Sequence, residues 1–342
     1  MKLMVIGSDK VFAIENLYVK HLREWIKDIY HFPAQSIFYD YYESGLFNKL
    51  LFKTGVSPIY SHINKLLKKK IEEFNPDIIW VFKGMEILPE TLKWAKERKI
   101  VLVNYNPDNP FVFSGAGSGN KNVTDSIGLF DFHFTYNLEV KERLEKQYKM
   151  NVILLPFGFE LDDDLYTTVR LQEEVQKICF LGNPDKSRAL FIKKMAEAGL
   201  QLDVYGNNWN KFITHANVTI FQPVYETAFW NILYKYRVQL NLMRQHNPDS
   251  HNMRTFEVPG TGGILLAPAT REHSLFFDNN SEAFFYSDLQ DAISKAKYLL
   301  ALPAIEANAI RIKARNRSIS SGYSYKDRAK FVCKTLKEMV NA

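Results

Sequence analysis

The chain is built on an alternation that leaves few folds open to it. Short apolar runs, each closed by turn residues, are separated by longer stretches whose apolar residues recur at helical spacing. Leu3 to Ile6 ends at Gly7 and Ser8, and Ile14 to Tyr30 then places Leu17, Tyr18, His21, Leu22, Trp25 and Ile29 at helical intervals. Gln35 to Tyr39 reads as the second strand, and Ile59 to Phe74 as a helix stopped by Asn75-Pro76. Asp77 to Phe82, Ile100 to Asn104, Phe130 to Thr135 and Val152 to Leu155 read as further strands, with helices over Pro89 to Lys99 and Leu138 to Tyr148. The pattern starts again at Val175 to Leu181 and runs through Gln201 to Tyr205, Val218 and Ile220, Gln239 to Leu242, Ile264 to Ala267 and Phe284 to Tyr286. Strands alternating with helices in this way call for a parallel sheet covered on both faces. The fold class is therefore α/β, with two doubly wound Rossmann-like domains. They cover 1–160 and 175–322, joined by an acidic linker at 161–174 and followed by a C-terminal amphipathic helix within 323–342.

A chain of 342 residues is long enough for two separate cores. Its two cysteines, Cys179 and Cys333, supply neither a disulfide framework nor a metal-ligand set, which fits a reducing, cytoplasmic setting. The opening MKLMVI reads as a first strand, too short for a signal-peptide core, and no apolar run reaches the length of a membrane span. A net charge of +6, from 44 basic and 38 acidic residues, leans towards acidic partners: nucleotide phosphates first, with anionic lipid at a peripheral membrane contact and DNA behind them. Asp162-Asp163-Asp164 has no histidine or other ligand beside it and reads as solvated linker, so no metal site is assigned.

In parallel sheets ligands sit beyond the carboxyl ends of the strands. Those ends hold Gly7 and Ser8, Lys83 and Gly84, and the turn-rich run Asn104 to Pro110 with the carboxylate Asp108. Ser114 to Asn120 superficially resembles a dinucleotide glycine fingerprint, but it follows a loop instead of opening a helix after a strand, so it reads as a loop beside the site. In the second half, Gly182-Asn183 precedes a helix over Ser187 to Gly199, whose N-terminal amides and Arg188 make a ready phosphate site. Gly206-Asn207-Asn208 closes the next strand, and Tyr225 stands at a turn where it can pack on a base. The densest stretch is Asp249 to Pro268. Asp249 or Ser250 can cap a short helix, Asn252, Arg254 and Glu257 lie within about two turns, and Gly262-Gly263 leads into a buried strand. A carboxylate, a guanidinium and an amide set so closely before a buried strand suit a polar, anionic ligand.

These residues carry a resemblance. Gly182-Asn183, the run Tyr205-Gly206-Asn207-Asn208-Trp209, Pro223-Val224-Tyr225, Asn241-Leu242 and above all Asn252-Met253-Arg254-Thr255-Phe256-Glu257 with Gly262-Gly263 are similar to the CgeB/YkvP-like glycosyltransferases. The likeness covers most of the second half. It extends to the first half through Pro76 to Gly84, the Asp108-Asn109-Pro110 turn and Leu155 to Phe159. It implies a GT-B fold: two doubly wound domains facing a cleft, with the last helix crossing back to the first domain. The donor would lie on the second domain and the acceptor on the first. Related retaining enzymes carry two glutamates eight positions apart around this helix; Glu257 matches the second, and the first falls on Asp249, a shorter side chain.

The resemblance and the residue chemistry together assign roles. Glu257 can accept two hydrogen bonds from ribose hydroxyls. Arg254 offers a planar donor fork to a diphosphate whose charge grows as it leaves. Gly182, Gly206 and Gly263 would let backbone amides approach phosphate or sugar. Asp108 or His251 could take the acceptor's proton, and no divalent metal is required. The expected activity is that of a hexosyl- or pentosyltransferase using a nucleotide sugar, a UDP-sugar favoured, on a hydroxyl of a carbohydrate, protein or other biopolymer, with retention. The rival readings are a non-catalytic sugar-nucleotide-binding protein and a transferase acting on modified bases in DNA. Oligomeric state leaves no mark in the sequence.

Overall fold

The computed structural model describes residues 1–55, 57–113, 117–244 and 249–341. Residues 114–116 of the loop expected over Ser114 to Asn120 lie outside the described residues. The chain divides into two compact units: unit 1 comprises Met1–Pro156 and Tyr325–Ala342, and unit 2 Phe157–Ser324.

Unit 1 holds strands β1 (Lys2–Ile6), β2 (Asp28–Phe32), β3 (Ile78–Phe82), β4 (Val101–Asn106), β5 (Phe132–Thr135) and β6 (Asn151–Leu154) in one sheet, ordered β2-β1-β3-β4-β5-β6. All neighbours pair in parallel. Its helices are α1 (Ile14–Leu22), α2 (Ala34–Glu43), α3 (Leu46–Lys53), α4 (Ile59–Phe74), α5 (Pro89–Lys96), α6 (Lys121–Ser126) and α7 (Leu138–Tyr148). Successive strand residues face opposite cores. Leu3 and Val5 pack with Tyr18, Val19 and Leu22 of α1, while Met4 and Ile6 pack with Ile63, Leu67 and Ile71 of α4. A strand buried on both faces reads as an unbroken apolar run, which is why these strands are legible in the sequence.

Unit 2 starts with α8 (Asp163–Val169), within the segment read as a linker; Asp162 caps it by accepting the Leu165 amide at 2.7 Å. Then come β7 (Val175–Leu181), α9 (Lys186–Glu197), β8 (Leu202–Tyr205), β9 (Val218–Phe221), α10 (Glu226–Lys235), β10 (Tyr236–Leu240), α11 (Arg254–Thr261), β11 (Leu265–Pro268), α12 (His273–Phe276), β12 (Phe284–Tyr286), α13 (Leu289–Ala301) and α14 (Ala304–Ser320). The sheet order is β12-β11-β10-β7-β8-β9, again all parallel. The last helix, α15 (Tyr325–Asn341), belongs to unit 1, where Tyr325 meets Tyr18 edge-on with ring centres 5.6 Å apart. Among the described residues no helix is long and apolar enough to cross a membrane.

Two local expectations are corrected. The second strand is Asp28–Phe32, not Gln35 to Tyr39, and Gln35 to Tyr39 lies in helix α2. Helix α1 ends at Leu22, and Pro33, whose fixed φ suits a helix start, stands just before α2. The periodicity carried by Trp25 and Ile29 belongs to a turn and a strand that bury the same side. The helix of the Asp249–Pro268 stretch begins at Arg254, so neither Asp249 nor Ser250 is its cap.

Candidate functional site

Each sheet has one place where the winding of the chain reverses, and crevices open at the carboxyl ends of the strands there. In unit 2 this point lies between β7 and β10. A cavity of about 210 Å³ sits beside it, lined by Ser187, Arg188, Phe191, Leu242, Met243, Arg244, Pro268 and Tyr286.

Arg188 ties the two strand ends together. Its Nη1 donates to the Asn183 carbonyl (3.2 Å) and its Nη2 to the Leu242 carbonyl (2.9 Å). Its Nε, 3.6 Å from Asp185 Oδ2, is buried and makes no hydrogen bond. Burial lowers its pKa; Asp185 opposes that, and Arg244 and Arg254 add like-charge repulsion. A guanidinium stays charged even so, and this one lines the crevice together with Arg244. The α9 amide expected to face an anion is already engaged, because Asp185 Oδ1 accepts from Arg188 N at 2.9 Å. The anion-holding capacity therefore lies in side chains more than in the helix terminus.

The strand-end turns are interlocked. A Cβ on Gly206 would lie 2.3 Å from the Gly182 carbonyl oxygen, so only glycine permits that approach. The same carbonyl accepts from Trp209 Nε1 (2.8 Å), and Asn183 Oδ1 accepts from Asn207 N (3.1 Å). Tyr205, expected among the ligand-binding residues, directs its hydroxyl to Tyr236 (2.8 Å), which in turn donates to Asp203 (2.7 Å). Tyr225 is exposed just before α10 and does not line the cavity.

Helix α11 is buried from Thr255 through Thr261. Asn252 and Asn241 exchange side-chain hydrogen bonds at 2.8 and 3.1 Å, and Asn252 also reaches Met243 Sδ at 3.4 Å. Arg254 Nη1 pairs with Glu257 Oε2, its guanidinium lies 4.6 Å from the Phe229 ring centre, and its buried Nε has no hydrogen-bond partner. Burial raises the Glu257 pKa, and Arg254 pulls it back down. Gly262 ends the helix in the left-handed region at φ 81°, and the Gly263 amide donates to the Val258 carbonyl at 2.8 Å.

His251 and Asp249 occupy different settings. His251 is buried among Phe157, Phe256 and Phe276. Its Nδ1 lies 2.5 Å from Glu272 Oε2, and its Nε2 accepts from the Phe157 amide at 3.4 Å. Both ring nitrogens are thus engaged within unit 2, which is the geometry of a positioning residue and not of a base that reaches an acceptor. Asp249 is exposed and accepts the Arg271 amide at 2.8 Å. Glu272, which gathers His251 and Ser250, carries no signal in the sequence: it stands between Arg271 and His273, and no periodicity marks it as buried.

In unit 1 the winding reverses between β1 and β3. A cavity of about 80 Å³ there is lined by Gly7, Glu15, Gln35, Phe82, Lys83, Glu86 and Pro107. Glu15 Oε1 accepts the Ser8 amide at 2.5 Å. Burial pushes the Glu86 carboxyl up to about 7; its own backbone amide and Lys83 oppose this, and Glu15 reinforces it. Lys83 holds a left-handed φ of 58°, and its Nζ contacts Asp108 Oδ2 and the Gly117 carbonyl, both at 2.6 Å. Glu15 has a signal in the sequence: with Tyr18, Val19 and Leu22 it shares the buried face of α1. Glu86 has one too, since it interrupts the apolar Met85-Glu86-Ile87-Leu88 run.

Residues 186–334 match a family model described as glycosyl transferase-like. No curated protein matches the chain in sequence. Among solved structures, sucrose-phosphate synthase from Thermosynechococcus elongatus aligns with a TM-score of 0.69 at 12% identity, over 99% of this chain and 99% of that one. HepE of Anabaena in complex with UDP aligns with a TM-score of 0.65 at 10% identity, over 99% and 100%. A UDP-GlcNAc 2-epimerase from Neisseria meningitidis bound to UDP-GlcNAc aligns with a TM-score of 0.57 at 16% identity, over 99% and 100%. The fold is GT-B. At these identities the likeness to the GT-B neighbours shows architecture alone.

Proposed function

We propose that the chain is a glycosyltransferase that moves a sugar from a nucleotide-sugar donor, a UDP-sugar in the first place, to a hydroxyl of an acceptor. One observation carries this reading. Arg188 and Arg244 line the strand-end crevice of unit 2, and Arg244 and Arg254 both stand close enough to Arg188 to repel its charge. A bound diphosphate would offset that crowding of like charge. The glycosyl transferase-like match over residues 186–334 supports transfer over the epimerisation performed by another protein of this fold.

In the proposed step the bond from the sugar's anomeric carbon to the diphosphate breaks and the acceptor oxygen forms the new bond. Arg188 and Arg254 compensate the charge of the leaving diphosphate, and transfer is proposed to be metal-independent on that basis. Glu257 exchanges its contact with Arg254 for the ribose hydroxyls, and Asp249 is the candidate contact to the sugar itself. Asp108, partly exposed at a strand end beside Lys83, is the candidate to take the acceptor's proton. Retention is proposed because Glu257 matches the second glutamate of related retaining enzymes; the acceptor oxygen then joins the anomeric carbon on the face that the diphosphate leaves.

Calorimetry with UDP and GDP tests the donor site. Arg254→Ala and Glu257→Ala should each lose nucleotide affinity; unchanged affinity in both would remove the assignment. Transfer assays over mixed acceptors separate the enzyme from a pure nucleotide binder, which turns nothing over. Asp108→Asn should lower kcat while leaving UDP affinity unchanged.

A further inference from the structure

Most of the large apolar side chains of unit 1 lie in its two cores, but α3 turns three of them outward. Leu46 is 84% exposed, Phe47 69% and Leu50 58%, and no residue of this helix is buried. Leu46 and Leu50 are one turn apart on the same face, with Phe47 beside them. The opposite side is anchored: Phe52 packs against Phe38, Tyr42 and Tyr60, with ring centres 4.9 to 5.7 Å apart. The outward face is therefore held in place by an aromatic cluster beneath it.

A second exposed segment joins it through α2. Val11 is 68% exposed and Phe12 56%, next to Lys10. Lys10 Nζ lies over the Tyr39 ring at 5.1 Å, and Lys49 Nζ lies over the Tyr42 ring at 5.5 Å. Tyr39 and Tyr42 are three residues apart on one face of α2. The two apolar segments and their lysines thus flank a single helix face. α3 itself carries Lys49 and Lys53 and no acidic residue; the nearest carboxylates along the chain, Asp40 and Glu43, sit on α2.

We propose that this α2–α3 surface docks on an anionic lipid membrane, with Leu46, Phe47 and Leu50 entering the interface and Lys49 and Lys53 meeting the headgroups. Exposed leucine and phenylalanine beside lysine is the composition of an interfacial helix. A second copy of the chain fits less well. The outward face of an eight-residue helix offers a few hundred Å² at most, against the ~800 Å² per partner of a stable interface. Lipid insertion needs no such area, because each apolar side chain contributes on its own.

The test is co-sedimentation of the full chain with vesicles of phosphatidylcholine alone and of phosphatidylcholine mixed with phosphatidylglycerol. Binding should favour the mixed vesicles and weaken as salt rises. The triple variant L46S/F47S/L50S should bind at least roughly tenfold more weakly. K49Q/K53Q, which leaves the apolar face intact, should lose roughly fivefold per lysine on the mixed vesicles only. UDP affinity in both variants reports that unit 2 is folded, and circular dichroism with thermal melting does so for the whole chain. The proposal is overturned if the wild type pellets with neither vesicle, or if the triple variant pellets as the wild type does. It is also overturned if the variant changes only the molecular mass in solution, which would assign the face to a second copy.

Discussion

Units 1 and 2 share one sheet logic and arrive at opposite linings. Each opens a cavity where the winding of its parallel sheet reverses, beside the first strand of the unit. In unit 1 the lining is Glu15 and Glu86 around a Lys83 already committed to Asp108. In unit 2 it is Arg188 and Arg244, with Arg254 close enough to disfavour the charge on Arg188. Topology decides where a ligand can sit, and the buried charge decides which ligand. On the proposed function, the basic lining of unit 2 is the one offered to an anionic nucleotide and the acidic lining of unit 1 the one offered to the acceptor.

The largest expected effect tests whether the units can be perturbed separately. Tyr325→Ala removes a buried ring that packs on Tyr18 and should destabilise unit 1 by about 3–5 kcal/mol. Denaturant unfolding should then resolve an early transition, with UDP affinity preserved under native conditions. A parallel fall in affinity would break the assignment of nucleotide binding to unit 2 alone.

Next comes the acidic lining. The Glu86 carboxyl is raised from 4.5 to about 7 by burial, so its contribution to stability is complete below 4.5 and is lost as pH rises through about 7. Glu86→Gln cannot ionise. It should therefore exceed the wild type by on the order of 3 kcal/mol at alkaline pH, and the two should converge in acid. A constant difference across that range would show that Glu86 does not titrate in its cavity.

The basic lining gives a smaller, binding-only effect. Arg188→Gln should weaken UDP by roughly ten- to a hundredfold, the worth of a charged hydrogen bond, whereas Glu86→Gln should leave UDP binding unchanged. Equal losses in both would erase the contrast between the units. Smallest of all, Gly262→Ala places a side chain at φ 81° and should cost about 1–2 kcal/mol in unit 2; thermal unfolding would detect it.

Much of the architecture is legible in the sequence, because strands buried on both faces write themselves as continuous apolar runs such as Ile78 to Phe82. The second strand is not, since Trp25 and Ile29 continue the spacing of α1 into a segment that is extended. At the site, Arg188, Arg254, Glu257 and the Gly182/Gly206 turns stand out as polar or glycine punctuation at strand ends, and the structure gathers them in unit 2. What the sequence hides is occupancy. Nothing local tells that Tyr205 spends its hydroxyl on Tyr236, or that His251 is enclosed by Phe157, Phe256 and Phe276. These are long-range pairings made by the fold. Glu15 and Glu86 lie between the two cases: each breaks an apolar pattern, but only the cavity gives that break a meaning.

Hydrogen–deuterium exchange with and without UDP tests the sorting of ligands by charge most directly. UDP should slow exchange at residues 182–191, 241–244 and 252–257 of unit 2 and leave residues 7–15 and 83–87 of unit 1 unchanged. Protection centred on the Glu15–Glu86 cavity, with the Arg188 and Arg254 segments unaffected, would contradict it.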